Sequence, residues 1–228
     1  MIKFVFLDLD DTIFDFHKAE SIALSGMLTE IGVDPTPDRI SRYSEINSAC
    51  WKRLERGEMT RDEVLYERFR IFFEEFGIEA SADEARLIYE DRLGKGHYFI
   101  DGAEDLLKAL FGKYRLFLAS NGTAKVQKGR IESSGIEVFF ERIFVSQTIG
   151  YNKPDKEFFN YCFKCIEGFD KDKAIIVGDS LSSDILGGKN AQIKTCLFNP
   201  NQKTNQTSII PDYEIRSLYE LPSLLEKI

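Results

Sequence analysis

Proline, cysteine, histidine and tryptophan are all scarce in this chain, which holds 6, 4, 2 and 1 of them among 228 residues. So little proline in a sequence that is 43% hydrophobic excludes a collagenous or disordered polymer and implies a packed globular protein. No run of about 20 apolar residues is present, so no segment reads as a membrane span. Met1 to Leu7 is apolar but carries Lys3 and meets Asp8 and Asp10, too short and too soon acidic for a secretion signal. We therefore expect a cytoplasmic protein with reduced thiols. Basic clusters are missing too. With 30 Lys and Arg against 38 Asp and Glu, a net charge of -8 argues against a nucleic-acid polymer or an anionic membrane as partner. A small anionic substrate stays compatible, because its binding depends on local charge. Ser-His-Asp order, a Walker phosphate loop and Gly-x-Gly-x-x-Gly are all absent, which removes serine hydrolases, P-loop enzymes and dinucleotide binders.

The single Cys-x-x-Cys, Cys162 to Cys165, has the spacing of half a zinc knuckle or a redox dithiol. It sits where Phe158, Phe159, Cys162, Cys165 and Ile166 recur at helical spacing, with no second pair and no His cluster. Both sulfurs are expected to face a core as small hydrophobes.

Two rhythms divide the chain. Ile2 to Asp8 reads as a buried strand, and beyond residue 100 short β-rich runs alternate with helical stretches: Tyr114 to Ser120, Arg142 to Ser146, Lys173 to Gly178 and Ile193 to Phe198. That alternation indicates βαβ units around a parallel sheet. Residues 17–94 carry no strand and read as amphipathic helices. Gly32 and Pro35 end the first and Gly57 the second, while Thr60 with Glu63 forms a capping box for a third that reaches about Phe76. An insert of this length exceeds any ordinary loop and reads as a helical lid. The polar stretch Asn199 to Ser208 is expected to be a mobile surface loop.

Polar residues punctuate the strand ends: Asp8 and Asp10, then Ser120 and Asn121, then Lys153, then Asp179 and Asp184. The carboxyl edge of an open parallel sheet is where ligands bind, so these residues converge on one crevice. Each alone is explained by a turn or a helix cap; four in succession are not. Asp8, Asp10, Asp179 and Asp184 cannot all ionise side by side without a cation. All-oxygen ligation with no His or Cys selects a hard ion, Mg²⁺ first. Lys153 and the backbone N–H groups around Leu9, Asp10, Asn121 and Gly122 complete a cradle for a phosphoryl group.

Asp8-Leu9-Asp10-Asp11-Thr12, Ser120-Asn121-Gly122, Lys153-Pro154 and Gly178-Asp179-Ser180 with Asp184 resemble, in order, the four motifs of the haloacid dehalogenase superfamily of phosphatases. Within it, Phe14-Asp15-Phe16, Trp51 through Gly57 and Met59-Thr60-Arg61-Asp62-Glu63 are most similar to the bacterial pyrimidine 5'-nucleotidases that clear non-standard nucleoside monophosphates. The resemblance implies an α/β fold, a doubly wound parallel sheet with a Rossmann-like core of strand order 5-4-1-2-3 and an inserted α-helical cap domain, with residues 1–15 and 96–228 as core and 16–95 as cap. It also implies roles. Asp8 would be the nucleophile that forms an aspartyl-phosphate, and Asp10 the acid and then the base. Asp8, the backbone carbonyl of Asp10 and Asp179 would ligate Mg²⁺, with Asp184 helping through water or by orienting Lys153. Ser120 and Lys153 would bind phosphoryl oxygens, and Asn121 the leaving group. Phe14, Phe16 and Trp51 are candidates to stack on a pyrimidine ring. Asp11, which stands where relatives often carry Gly, is expected to point away and bond locally, and His17 and His97 to be structural.

A sugar phosphatase or phosphomutase shares these catalytic residues and stays open as an alternative. Removal of halide would need neither Asp10 nor Asp179. A phospho-accepting receiver domain would place its acceptor Asp after the third strand and has no room for an insert of about 80 residues.

Overall fold

The computed structural model describes residues 1–228. Its first strand, β1 (Phe4–Leu7), is apolar at every position and buried on both faces, the pattern of a central strand in a parallel sheet. The others are β2 (Arg115–Ser120), β3 (Arg142–Val145), β4 (Ala174–Gly178), β5 (Lys194–Phe198) and β6 (Tyr213–Ile215), all parallel in the order β3-β2-β1-β4-β5-β6. Five of them stand in the expected order. The sixth lies outside that expectation: three residues with a solvent-facing Glu214, paired with Cys196 to Phe198, are too short to show a period.

Between β1 and β2 come α1 (Phe16–Glu30), α2 (Pro37–Glu55), α3 (Arg61–Phe76), α4 (Ala82–Leu93) and α5 (Ala103–Leu110). The first four have clear local causes. Asp15, Thr36, Thr60 and Ser81 each cap a helix N-terminus through the side chain. Thr60 and Glu63 complete the capping box, and Gly77 at φ 61° ends α3 in the left-handed conformation. These helices close around their own hydrophobic cluster, with Met27, Tyr43, Phe69, Phe72 and Tyr89 at its centre. Two further clusters cover the two faces of the sheet.

The remaining helices are α6 (Ala124–Ser134), α7 (Ser146–Ile149), α8 (Lys156–Lys164), α9 (Leu186–Ala191) and α10 (Leu221–Leu225). α8 buries Cys162 in the cluster beneath the sheet, with Cys165 partly buried against it. Burial pushes the Cys162 thiol up, away from the range of a reactive thiolate. Where the chain returns from α4, the Gly94 carbonyl lies so close to α6 that a Cβ on Gly129 would meet it at 2.6 Å. Only glycine permits that approach. Residues 200–208 form an exposed loop whose start is held by Asn199: its amide donates to the Lys203 carbonyl and Glu214, and its Oδ1 accepts from the Lys203 N–H. No helix is long and apolar enough to cross a membrane.

Candidate active site

Strand register brings the punctuating residues together. Leu7 pairs with Leu118 on one side and Val177 on the other, so Asp8, Ser120 and Asp179 all emerge at the same sheet edge. Asp8 is 7% exposed, and its N–H continues the ladder by donating to Val177 at 2.9 Å. Lys153, 1% exposed, donates from Nζ to Asp8 Oδ1 at 2.5 Å, Asp184 Oδ1 at 2.6 Å and the Ala119 carbonyl at 2.6 Å. An ammonium has three protons, and all three are used. Burial works against that charge, but Asp184 and Asp8 outweigh it and hold the Lys153 pKa above its ordinary value.

Asp184 sits in a single π-helical turn, Leu181–Ile185, and its Oδ2 accepts from the Ser180 N–H at 3.1 Å. A Cβ at Gly178 would strike that oxygen at 2.2 Å, so the glycine ending β4 makes room for the carboxylate. One oxygen each of Asp8, Asp179 and Asp184 lie within 4.8 Å of one another. Burial raises the Asp8 carboxyl well above its usual range; Lys153 offsets part of this and Asp184 and Asp10 add to it. Burial does the same to Asp179, with Asp184 and Asp8 adding. Three converging carboxylates with one ammonium form an all-oxygen donor set short of positive charge, which fits Mg²⁺. Asp184 orients Lys153 as expected, and its carboxylate also lies in the acidic cluster with Asp8 and Asp179. Asp10 stands further off. Its carboxylate is paired with Arg130 and accepts from Gln127 Nε2 at 2.6 Å, and it is not among the clustered carboxylate oxygens.

Unpaired backbone donors stand beside Asp8 at this edge. The N–H groups of Leu9 and Asp10 donate to no protein acceptor, whereas the Leu9 side chain is fully buried. Ser120 Oγ accepts from the Gly122 N–H at 3.2 Å and from Gln127 Nε2 at 2.8 Å. Asn121 departs from expectation. Its Nδ2 donates to the Lys153 carbonyl and its Oδ1 accepts from the Lys153 N–H, both at 2.8 Å. An amide engaged on both sides positions Lys153 and has little left for a leaving group. Asp11 sits at φ 57° and its Oδ1 accepts from the Phe16 N–H at 2.9 Å, the local bonding expected; His17 lies 3.4 Å from its other oxygen.

A cavity of about 360 Å³ separates this crevice from the helical insert. Phe16 and Trp51 both line it, half-buried. Phe14 does not: it is fully buried against Phe99 and the Arg130 guanidinium and presents no face to a ligand. The guanidinium of Arg61 lies 5.5 Å over the Trp51 ring, which also packs against the cap's hydrophobic cluster.

Two participants carry no sequence signal, and a third, Arg61, stands in the Met59 to Glu63 run without its contacts being marked there. Gln127 and Arg130, one turn apart on the buried side of α6, hold Asp10 and Ser120, and are visible only as polar residues on a helix face that must be covered. Arg61 crosses from the start of α3 to the core, donating to the carbonyls of Asn121 at 3.0 Å and Gly122 at 2.9 Å, to Ser146 Oγ at 2.6 Å and to Asn152 Oδ1. Burial pulls its pKa down to about 10. A second bridge runs from Ser182 Oγ to Glu55 Oε2 at 2.8 Å.

Comparison with known proteins accords with this geometry. Residues 5–198 match the family model described as haloacid dehalogenase-like hydrolase. The chain is 43% identical to the HAD-hydrolase YfnB of Bacillus subtilis, covering 96% of this chain and 93% of that protein. It is 37% identical to the pyrimidine 5'-nucleotidase PynA of Streptococcus pneumoniae over 99% of this chain and 95% of the other, and 29% identical to YjjG of Escherichia coli, also a pyrimidine 5'-nucleotidase, over 98% and 97%. The crystal structure of YfnB bound to magnesium, described as revealing interdomain movement, superposes with a TM-score of 0.94 at 42% identity, covering 98% of both chains.

Proposed function

The chain belongs to the haloacid dehalogenase-like hydrolases, and from that membership we propose that it is a Mg²⁺-dependent phosphomonoesterase that acts on pyrimidine nucleoside 5'-monophosphates through an aspartyl-phosphate. The observation that carries the chemistry is Lys153 bridging Asp8 and Asp184. It pairs the buried Asp8 carboxylate with an ammonium at the sheet edge, so that the carboxylate itself is the nucleophile available in the crevice.

In the first step Asp8 forms a bond to phosphorus as the ester P–O bond breaks, and Asp10 delivers a proton to the departing alkoxide. In the second, Asp10 takes a proton from water as its oxygen attacks phosphorus, which frees Asp8 and inorganic phosphate. Ser120 and the Leu9 and Asp10 N–H groups bind the phosphoryl oxygens on which charge gathers, and the saturated Lys153 ammonium adds its positive charge beside them. Arg130 and Gln127 fix the Asp10 carboxylate near the reacting ester. Asp8, Asp179, Asp184 and the Asp10 carbonyl would hold Mg²⁺, which supplies charge neutralisation of the phosphoryl group.

The substrate class is supported by the similarity to two pyrimidine 5'-nucleotidases along nearly the whole chain. Phosphate release measured across nucleoside monophosphates and sugar phosphates, with Mg²⁺ and with chelator, tests it. Pyrimidine nucleotides are expected to give the highest kcat/KM, and only with metal; higher values for hexose phosphates would replace this reading with a sugar phosphatase.

A further inference from the structure

The far end of the cavity lies inside the cap, and its polar groups are unusual for such a place. Each of α1 to α4 sends one of them into the middle of the cap's hydrophobic cluster: Glu20, Asn47, Arg68 and Glu90, with exposures of 2%, 2%, 3% and 8%. All four line the cavity. Asn47 Nδ2 donates to Glu20 Oε1 at 2.7 Å, and Arg68 Nη1 donates to Asn47 Oδ1 at 3.1 Å. The network stops there. Arg68 Nε and Glu90 Oε1 are buried without any hydrogen-bond partner, and the closest cations to that oxygen, Arg68 Nη2 at 3.6 Å and Arg86 Nη1 at 3.9 Å, stand beyond hydrogen-bond reach. A buried donor and a buried acceptor left open beside one another are costly unless something bonds them.

The spacing says what could. α2 runs along the cavity wall, lining it with Asn47, Ser48, Trp51 and Glu55, and its Glu55 end touches Ser182 of the catalytic crevice. Eight residues of helix separate Glu55 from Asn47, a rise of about 12 Å. A nucleoside monophosphate spans such a length from phosphorus to the outer edge of its base, and a small sugar phosphate falls short of it. Charge narrows the choice. Of the charged groups lining that end of the cavity, one cation, Arg68, faces two carboxylates, Glu20 and Glu90, and Arg86 beside Glu90 at most balances them, which leaves no excess positive charge for a second phosphate or an acidic sugar.

Resting on the nucleotidase reading, we infer that Arg68 and Glu90 read the base: Arg68 Nε–H donates to a ring carbonyl or ring nitrogen, Glu90 Oε1 accepts from the adjacent N–H, and Asn47 with Glu20 holds the guanidinium in place. The uracil and thymine imide and the amino edge of cytosine each present that pair. Phe16 and Trp51, both half-buried, line the same cavity.

The test uses the full chain with Mg²⁺ and three substrates: uridine 5'-monophosphate, its 3-methyl analogue, which lacks the N–H, and ribose 5-phosphate, which lacks the base. In the unmodified protein the methyl group is expected to lower kcat/KM by about tenfold or more, mainly through KM, the size of effect expected when a hydrogen bond to a charged group is lost. Glu90→Gln is expected to cut the preference for uridine monophosphate over ribose 5-phosphate by about tenfold and to shrink the methyl penalty. Equal rates for the methylated and unmethylated nucleotides overturn the inference, as does an equal fall for all substrates in Glu90→Gln, which would mark the cluster as structural. Should that variant fail to fold, the methyl comparison in the unmodified protein decides alone. A preference for ribose 5-phosphate over uridine monophosphate would sink the nucleotidase reading and this inference with it, whereas nucleotide preference without a methyl penalty would sink this one only.

Discussion

The protein buries two sets of charges, and it treats them in opposite ways. At the sheet edge, Lys153 spends all three protons on Asp8, Asp184 and a carbonyl. In the cap, Arg68 and Glu90 lie comparably buried with a donor and an acceptor unspent. Groups that must hold one geometry through a reaction gain from saturation, because a satisfied buried network is stiff. Groups that meet a ligand must keep something open for it. The difference teaches that the crevice is built for one chemistry, while the cap keeps its specificity in polar atoms the protein itself does not satisfy.

The largest effect that would break this division is at Asp8. Replacing it with Asn keeps the shape and removes the nucleophile, so phosphate release is expected to fall by more than about 10⁴-fold with an unchanged circular dichroism spectrum. Retained turnover in a preparation free of deamidation would move the chemistry elsewhere. Metal comes next. Excess chelator is expected to abolish activity, and Asp179→Ala to raise the Mg²⁺ needed for half-maximal rate by about 10²-fold or more, read from a metal titration of phosphate release. Full activity in chelator would leave the acidic cluster without its proposed purpose.

A smaller effect is expected where the two regions meet. Arg61→Lys keeps the charge but loses the fork that reaches the Asn121 and Gly122 carbonyls and Ser146 together. Its kcat/KM should drop by about tenfold for nucleotide and generic phosphate ester alike, since the loop it holds carries the phosphoryl cradle. A change in melting temperature with no kinetic change would make Arg61 only a strut. Phe16→Ala sharpens the contrast from the substrate side: it should cost pyrimidine nucleotides severalfold in kcat/KM beyond its effect on a small phosphate ester, as expected for loss of one stacking face. The smallest effect belongs to Asp11→Gly. Relief of the positive φ offsets loss of the hydrogen bond to Phe16, so thermal unfolding should shift by less than about 1 kcal/mol, with catalysis intact.

The crevice was far more legible than the cap. Its residues follow strands, and a strand end is marked in one dimension by a short apolar run stopping at a polar residue, as Leu7 stops at Asp8 and Gly178 at Asp179. Parallel pairing then does the rest. The helices offer no such mark. Asn47, Arg68 and Glu90 look like the solvent side of amphipathic helices, and Gln127 and Arg130 like surface polars of α6, until packing covers them. Phe14 and Phe16 show the same limit from the aromatic side. Two residues apart in one loop, one is sealed in the core and the other faces the cavity, and only the turn through Asp11 and Phe14 separates them.

Local periodicity, capping and the register of a parallel sheet, all readable along the chain, set the alternation of strands and helices, the helical insert and the carboxylates that follow β1 and β4, whereas Lys153 reaches the crevice from a loop after the short helix α7 rather than from the end of β3. Packing across distant elements is what made Asn121 serve Lys153, gave Asp10 to Arg130 and Gln127, and left an open donor and acceptor among four cap helices at the end of the cavity. Each of those depends on which side chains meet across elements distant in the chain, and hydrogen-bond partners between such elements are chosen by packing in three dimensions, which local sequence does not encode.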